Sequence, residues 1–534
     1  MARRRRRHGT GGRVRLRKPS RRVAEWVRKV GVRRFGILAV DSAKRRFAVL
    51  LTDFLGNVFW GVHEVENTGP ALAAFVEALK QVVRAHKLKD LVVGLERTGR
   101  YHVPMGQVLK PHWSVEIVDP FATKQLRQAA NPGEKTEETD LFAIVAAIQV
   151  GLGTTEADLP PAWVDWRLES RSREDHVGIR ALVRQHIQEK LEALLPGFAG
   201  LFRDVWQAPT ALRVAEHYGS AAALVAAGVD GVLAWLSGEG HRARRQTVER
   251  IVAWARTASP ADPGASVRHA LLCRDLEHER FLESAILASE GKLAGYLVDT
   301  PFVLLLSAQG INVVNSASYG AELGPIEHYI NPQKISGRAG LYPSRYQSDE
   351  VDYPNGPLVG HRNARLRDAI HEVAYCLLTC NPYFKAWGEV RRKRGWPEKK
   401  IHIAVGKTFI RISYRMLAGR QVFDHPCTAG RNAILRKLYE FAQGHALTPE
   451  TTRDLLVRAA AQIPQHVLPE EARELEAKLP RTARRHRTRG PEHISTILPD
   501  VLRHLACGLP LREERTERNT LEVTGGLLTG RSGH

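Results

Sequence analysis

Two apolar runs that end in a carboxylate constrain this chain more than any other feature. FGILAVD closes on Asp41 and KDLVVGLE closes on Glu96. Each is a short apolar stretch bounded by polar turns, the pattern of a buried strand. A carboxylate at the end of a buried strand costs free energy unless it is paired, hydrogen-bonded or bound to a metal ion. Asp41 also has a plain alternative, capping the tight turn into SAKRR. The rest of the chain must decide between them.

Residues 34–150 supply the frame. FGILAV, RFAVLL and NVFWGVHEV read as an antiparallel meander of strands with short polar turns. GPALAAFVEALKQVVRAHKL carries a helical period, KDLVVGLE and HWSVEIVD are further strands, and EETDLFAIVAAIQVGL closes the segment as a helix. Three strands, helix, strand, helix, strand, helix is the order of an RNase H-like α/β fold. In that fold the first strand and the strand after the first helix are parallel neighbours. Their carboxyl ends, and so Asp41 and Glu96, lie side by side where ligands of open α/β sheets gather.

Two more acids come from NPGEKTEETDLF, where Glu137 and Asp140 are three residues apart and share one face of the starting helix. Glu138 points elsewhere. Acids in a first helical turn also complement the helix dipole, and that reading stands beside the functional one. Four carboxylates meeting at one point repel and resist ionisation unless cations neutralise them. Hard divalent ions suit such a donor set: Mg2+ takes oxygen ligands, keeps waters for a substrate phosphate, and works in pairs in phosphoryl transfer.

Composition points the same way. The 534 residues exceed a single core, so two to four domains are expected. A net charge of +22 implies a polyanionic partner, nucleic acid first and an anionic membrane second, although solubility alone can make a protein basic. Much of the charge sits in MARRRRRHGTGGRVRLRKPSRR, which cannot bury a core, so residues 1–33 are expected to be a disordered basic arm. No apolar region follows it as in a secretory signal, and no run approaches the ~20 apolar residues of a membrane span. The five cysteines, Cys273, Cys376, Cys380, Cys427 and Cys507, form no CxxC pair and fit a reducing, cytoplasmic setting.

Beyond residue 155 the pattern changes. Residues 165–300 read as an elongated helical insert with coiled-coil character, and residues 301–420 as a mainly helical unit. PFVLLLSAQGINVVNSASYGAELG suggests two helices about a turn at Gly310, with the look of a helix-hairpin-helix whose turn amides bind phosphate; a plain helical hairpin fits equally well. AGLYPSRYQSDEVDYPNGPLVGHRN is loop-rich. GHRNARLRDA places Arg362 and Arg365 one turn apart for phosphate contact or as a solvated basic face. Residues 421–534 read as a helical extension and then a basic tail that includes RTARRHRTRG.

Several of these stretches together resemble a known family. GILAVDSAKRRFAVLL, VVGLERTGRYH, VDPFATKQLRQAANPGEKTEETDLFAI, LLSAQGINVVNSASYGAELG and GLYPSRYQSDEV are similar to the DEDD transposases of insertion sequences related to the Piv DNA invertase. The resemblance covers most of residues 34–420. It implies a RuvC-like RNase H-fold catalytic domain over 34–155, a helical coiled-coil insert over 165–300 and a transposase domain with a serine loop over 301–420. It maps an acid tetrad onto Asp41, Glu96, Glu137 and Asp140, holding two Mg2+ ions, and a nucleophilic serine onto Ser348. It further implies donor and target DNA, a structured guide RNA and a homo-oligomer, dimer or tetramer, as partners.

The chain departs from the family at Glu137, where Asp is usual, and at Asp349, where Gly is common. By the residues alone Ser344 is as plausible a nucleophile as Ser348. Two other readings keep part of this picture: a metal-dependent nuclease or Holliday-junction resolvase without a covalent serine intermediate, and a non-catalytic nucleic-acid-binding protein.

Overall fold

The computed structural model describes residues 21–464, apart from 131, 156–158, 349–350, 354–355, 361 and 424–433. Residues 1–20, Asp349, Cys427, Cys507 and the tail from 465 lie outside the described residues. The chain divides into two compact units, residues 1–158 and 159–534.

The first unit is built on five strands: β1 (Phe35–Ser42), β2 (Arg46–Asp53), β3 (Val58–Glu66), β4 (Asp90–Glu96) and β5 (Ser114–Val118). Their order is β3-β2-β1-β4-β5, with β3, β2 and β1 antiparallel and β1, β4 and β5 parallel. Edge strand β3 is largely exposed and carries His63, Glu64 and Glu66, charge that discourages pairing with another chain.

The side-chain alternation of a strand sorts the rest onto two faces. On one face Leu38 and Val40 of β1 and Val93 and Leu95 of β4 pack beneath α2 (Gly69–Ala85) and α3 (His102–Leu109). On the other, Phe35, Ile37, Ala39 and Val92 pack with α5 (Glu137–Gln149). Helix α4 (Pro120–Ala130) leads from β5 toward α5.

Order begins earlier than the sequence reading placed it. Residues Arg21–Val30 form helix α1, and Val23 and Val27 are buried in the α5-side core, with Trp26 and Val30 packed against it. These four positions follow i, i+3, i+4, i+7 spacing, so the segment has one apolar stripe among its arginines.

In the second unit two 34-residue helices, α6 (Pro161–Leu194) and α10 (Ala265–Val298), run antiparallel along each other. Ion pairs mark the register: Arg173–Glu290, Arg180–Glu279, Arg184–Glu279 and Lys190–Asp275. At one end they pack with α7 (Pro209–Tyr218), α8 (Ala221–Gly238) and α9 (Arg245–Ala255) around a separate core. By length and composition α8 is apolar enough to cross a membrane. Gly228, at φ 63° and ψ −179°, breaks it in the middle, leaving two pieces each too short to span.

At the other end a larger core gathers the remaining elements. These are a 3-10 turn at Pro301–Ser307, α11 (Val313–Leu323), α12 (Pro332–Ala339), α13 (Ala364–Cys380), α14 (Pro382–Lys393), α15 (Glu398–Ala418), α16 (Ile434–Gly444) and α17 (Pro449–Gln462); between α12 and α13 runs the hairpin of β6 (Tyr346–Ser348) and β7 (Val351–Tyr353).

The hairpin around Gly310 is an internal packing element. Its first arm is 3-10 rather than α-helical, and both arms are almost wholly buried. Gly310 has φ 95°, and a Cβ there would lie 2.7 Å from the Cys376 carbonyl oxygen, so the turn admits only glycine. The Lys437 ammonium donates to the carbonyls of Leu306, Ala308 and Ile311 at 2.6, 2.8 and 2.7 Å. Packing on α13 and the half-buried Lys437 cation hold the turn from within, and Gln309 at its tip is exposed.

Candidate active site

Strand register brings the first two acids together. Val40 of β1 sits opposite Leu95 of β4 in the parallel ladder, so Asp41 and Glu96 follow at the same level on neighbouring strands. Alternation gives their direction. Asp41 continues the series Phe35, Ile37, Ala39, and Glu96 continues Val92, Gly94, all on the α5 side.

Helix α5 brings the third. Asp140, Ile144 and Ile148 are spaced by four and share a face. That face lies directly on β4: a Cβ on Gly94 would meet Ile148 at 2.7 Å and Ile144 at 3.0 Å. The missing side chain at Gly94 therefore lets α5 approach closely enough for Asp140, one turn before Ile144, to reach the level of Glu96. Thr136 caps the helix through a reciprocal pair with Thr139, fixing where this first turn begins.

The electrostatics follow from this placement. Burial pushes Glu96 up to about 7, and the charges of Asp41 and Asp140 add to the rise, partly opposed by the nearby Thr123 hydroxyl and Arg127. Asp41 is raised as well, by burial first and then by Asp140, with Glu137 contributing less. Asp140 is buried, and the Arg127 guanidinium of α4 pairs with its carboxylate; the two side chains are only 13% and 11% exposed. Glu137 is exposed, with its carboxylate 3.8 Å from Arg46.

Asp41, Glu96 and Asp140 thus form the kernel, and Glu137 stands at its rim. Among the described residues no three acidic, histidine or cysteine side chains are grouped tightly enough to serve as a ready metal cage. Arg127 holds one of the acids, and Arg46 faces another.

Sequence reasoning missed Arg127. Nothing in TKQLRQAA distinguishes it from a solvated helix arginine. The available signal was indirect: a cluster of buried acids requires a counter-cation, and the helix after β5 starts at the same sheet edge.

The raised Glu96 fixes a pH dependence. Its folded value lies above its ordinary 4.5, so between about 4.5 and about 7 the folded state binds more protons than the unfolded state. Stability therefore falls as pH rises through that window and stays lower above it. With a discount for its partial exposure, the penalty at pH 8 is on the order of 1–2 kcal/mol. In the presence of a chelator, Glu96→Gln is expected to melt higher than wild type at pH 8 and equally at pH 4, as scanning calorimetry would read. Equal melting at both values would contradict the crowding described here.

The other candidates fall in the second unit. Ser348 is exposed at the end of β6, paired across the hairpin with Val351. Ser344 donates its hydroxyl to the Pro357 carbonyl at 3.0 Å, which ties it into the loop and separates the two serines. Arg365 is committed elsewhere: its guanidinium donates to Glu174 and Asp175 of α6 at 2.9 and 2.8 Å. The basic face expected at Arg362 and Arg365 is thereby reduced to Arg362, which is exposed and donates to the Tyr342 hydroxyl at 3.2 Å.

Two stretches of the chain match family models. A transposase model of the DEDD type named for IS110 matches residues 38–196, which contain the four acids. A model described as transposase IS116/IS110/IS902 family matches residues 303–388, which contain Ser348. No curated protein matches the chain.

Proposed function

From the premise that the chain is a DEDD-type IS110 transposase, we propose that it cuts and rejoins DNA with a carboxylate site that binds two Mg2+ ions and with Ser348 as nucleophile. Its action on DNA follows from the family. The convergence of Asp41, Glu96 and Asp140 from two parallel strand ends and one helix start supports the rest, since it is an arrangement that repels itself until a cation enters.

The donor set fits a hard divalent ion. It is all carboxylate oxygen, and the acids that burial and mutual repulsion hold above their usual range are the ones a cation would relieve. Asp41, Glu96 and Asp140 would hold the metal, with Glu137 as a further donor once its carboxylate turns from Arg46. When bound, a metal pair supplies Lewis-acid stabilisation of the attacking and leaving oxygens of a phosphoryl transfer. Glu137 brings one more methylene than the aspartate usual in the family, and its exposed place leaves room for the longer reach.

Asp140 must give up Arg127 for a cation. Calorimetric titration with Mn2+ or Mg2+ is therefore expected to show binding in wild type, at least tenfold weaker binding in Asp140→Asn and tighter binding in Arg127→Gln. Chelation is expected to abolish strand cleavage. Absence of metal binding in wild type would remove the metal-site reading.

We further propose a structured RNA guide, encoded beside the gene, that pairs with donor and target DNA. Synapsis of two duplexes needs more than one active site, so a homo-oligomer, dimer or tetramer, acting in the cytoplasm completes the reading. Cleavage of element-end DNA with and without the flanking transcript tests the guide directly.

A further inference from the structure

The junction of α14 and α15 carries the sequence RRKRGWPEKK, residues 391–400, with six cations against one carboxylate. It lies just past the stretch that the second family model matches. Arg392, Lys393, Arg394, Lys399 and Lys400 are exposed. Glu398 is taken by Arg392, with His402 3.8 Å away. Among the described residues Lys393, Arg394, Lys399 and Lys400 have no ion-pair partner.

The helix dipole explains only half of this charge. Cations in the last turn of α14 complement its C-terminus, but Lys399 and Lys400 stand in the first turn of α15, where a helix disfavours positive charge. The two groups are brought together by a tight reversal. Gly395 takes φ 75°, and the amides of Gly395 and Trp396 bond back to the carbonyls of Arg392 and Arg391.

A stacked ladder fixes the inner part of the patch. The Arg391 guanidinium carbon lies 3.3 Å from the ring centre of Trp387 and 5.8 Å from that of Trp396, and Lys400 Nζ lies 4.3 Å from Trp396. Nη1 of Arg391 donates to the Trp387 carbonyl at 3.2 Å. Stacking on indole holds a guanidinium in one orientation while leaving its charge unneutralised. The result is a rigid cationic ridge in which like charges are kept close by the fold.

We propose that this ridge is a docking surface for the phosphodiester backbone of duplex DNA, the partner class of the matched transposase families, with Arg391 as its fixed anchor and Lys393, Arg394 and Lys399 as outer phosphate contacts. The inference rests on the transposase reading for its partner class and adds the place where that partner is held. Phosphate contact of this kind positions a strand without reading its sequence.

The test is a salt-dependence measurement on the full chain. Anisotropy titrations with duplex DNA and with a structured RNA compare wild type, K393Q/R394Q/K399Q and a charge-matched control, R203Q/R242Q/R244Q, whose arginines are exposed elsewhere in the same unit. Losing three phosphate contacts is expected to reduce the magnitude of the log K against log salt slope by about 2.7 for duplex DNA, and affinity at ~0.1 M salt by about a hundredfold. The control is expected to keep the wild-type slope. A larger change on the structured RNA than on the duplex would overturn duplex DNA as the occupant of the ridge. A ridge variant that matches the control on both nucleic acids, with wild type binding normally, would overturn the ridge alone. A wild type that binds neither would overturn the transposase reading together with the ridge. Melting temperatures check that each variant is folded.

Discussion

Asp41→Asn is expected to lower DNA strand cleavage by about a thousandfold or more, roughly 4 kcal/mol in the barrier, while making the metal-free protein more stable. The two effects share one cause. Asp41 is held above its ordinary value by burial and by the charges of Asp140 and Glu137. At neutral pH its ionised form therefore works against folding, in the sense that the unfolded chain ionises more easily. Asparagine keeps the shape at the end of β1 and removes the charge, so repulsion with Glu96 and Asp140 falls and stability at neutral pH rises. The same change removes a donor from the proposed cation site.

Melting with chelator at pH 8, metal titration and cleavage of element-end DNA check the three consequences together. A stabilised, metal-poor and inactive variant is the expected outcome. A variant that cleaves as wild type does would point to a protein that binds nucleic acid without acting on it through these acids. Loss of cleavage with loss of stability would mean that Asp41 caps its turn and little more.

The legibility of this protein depends on whether a feature is periodic, local or distant. Strands β1, β2 and β4 are readable because burial on both faces demands continuous apolar runs, and Asp41 and Glu96 stand out as acids where such runs stop. Glu137 and Asp140 are readable as a pair because three residues bring two side chains onto one helix face. The sequence does not reveal that the two part company, Asp140 inward toward Arg127 and Glu137 outward toward Arg46. That difference depends on how α5 is rotated over β4.

Helix α1 was hidden by composition. Arginine-rich flanks mask the stripe of Val23, Trp26, Val27 and Val30, and burial of that stripe on the sheet outweighs the charge repulsion around it. Arg365 shows the opposite failure. Its local spacing with Arg362 suggests an open basic face, but Glu174 and Asp175, some 190 residues earlier, arrive on α6 and take it. The burial of both arms about Gly310 is likewise set by distant partners, Cys376 and Lys437, that the local pattern does not show.

Ser348→Ala is expected to abolish a covalent protein–DNA adduct while leaving the fold and the metal site intact. The serine is exposed at a strand end, so truncation to alanine should change stability by no more than about 0.5 kcal/mol. In the proposed chemistry its Oγ attacks a backbone phosphorus. A phosphoserine bond forms, the bond to the leaving strand oxygen breaks, and that strand ends in a hydroxyl that can later reverse the step. An alcohol is a weak nucleophile near neutral pH, so its proton must be removed or its oxygen polarised before it attacks.

Denaturing electrophoresis of the reaction with labelled element-end DNA separates the possibilities. Wild type should give a labelled protein band that Asp41→Asn and Ser348→Ala both lose, and that Ser344→Ala keeps, because the Ser344 hydroxyl is bound to the Pro357 carbonyl. If Ser348→Ala loses the band but still nicks DNA at the wild-type rate, water is the nucleophile and the protein is a metal-dependent nuclease in its cutting step. If wild type gives no band under conditions in which it recombines DNA, the serine has no covalent role and both strands must be exchanged through free ends. In the proposed chemistry the acids decide whether the backbone can be cut at all, and Ser348 decides whether the energy of the broken bond is kept for rejoining.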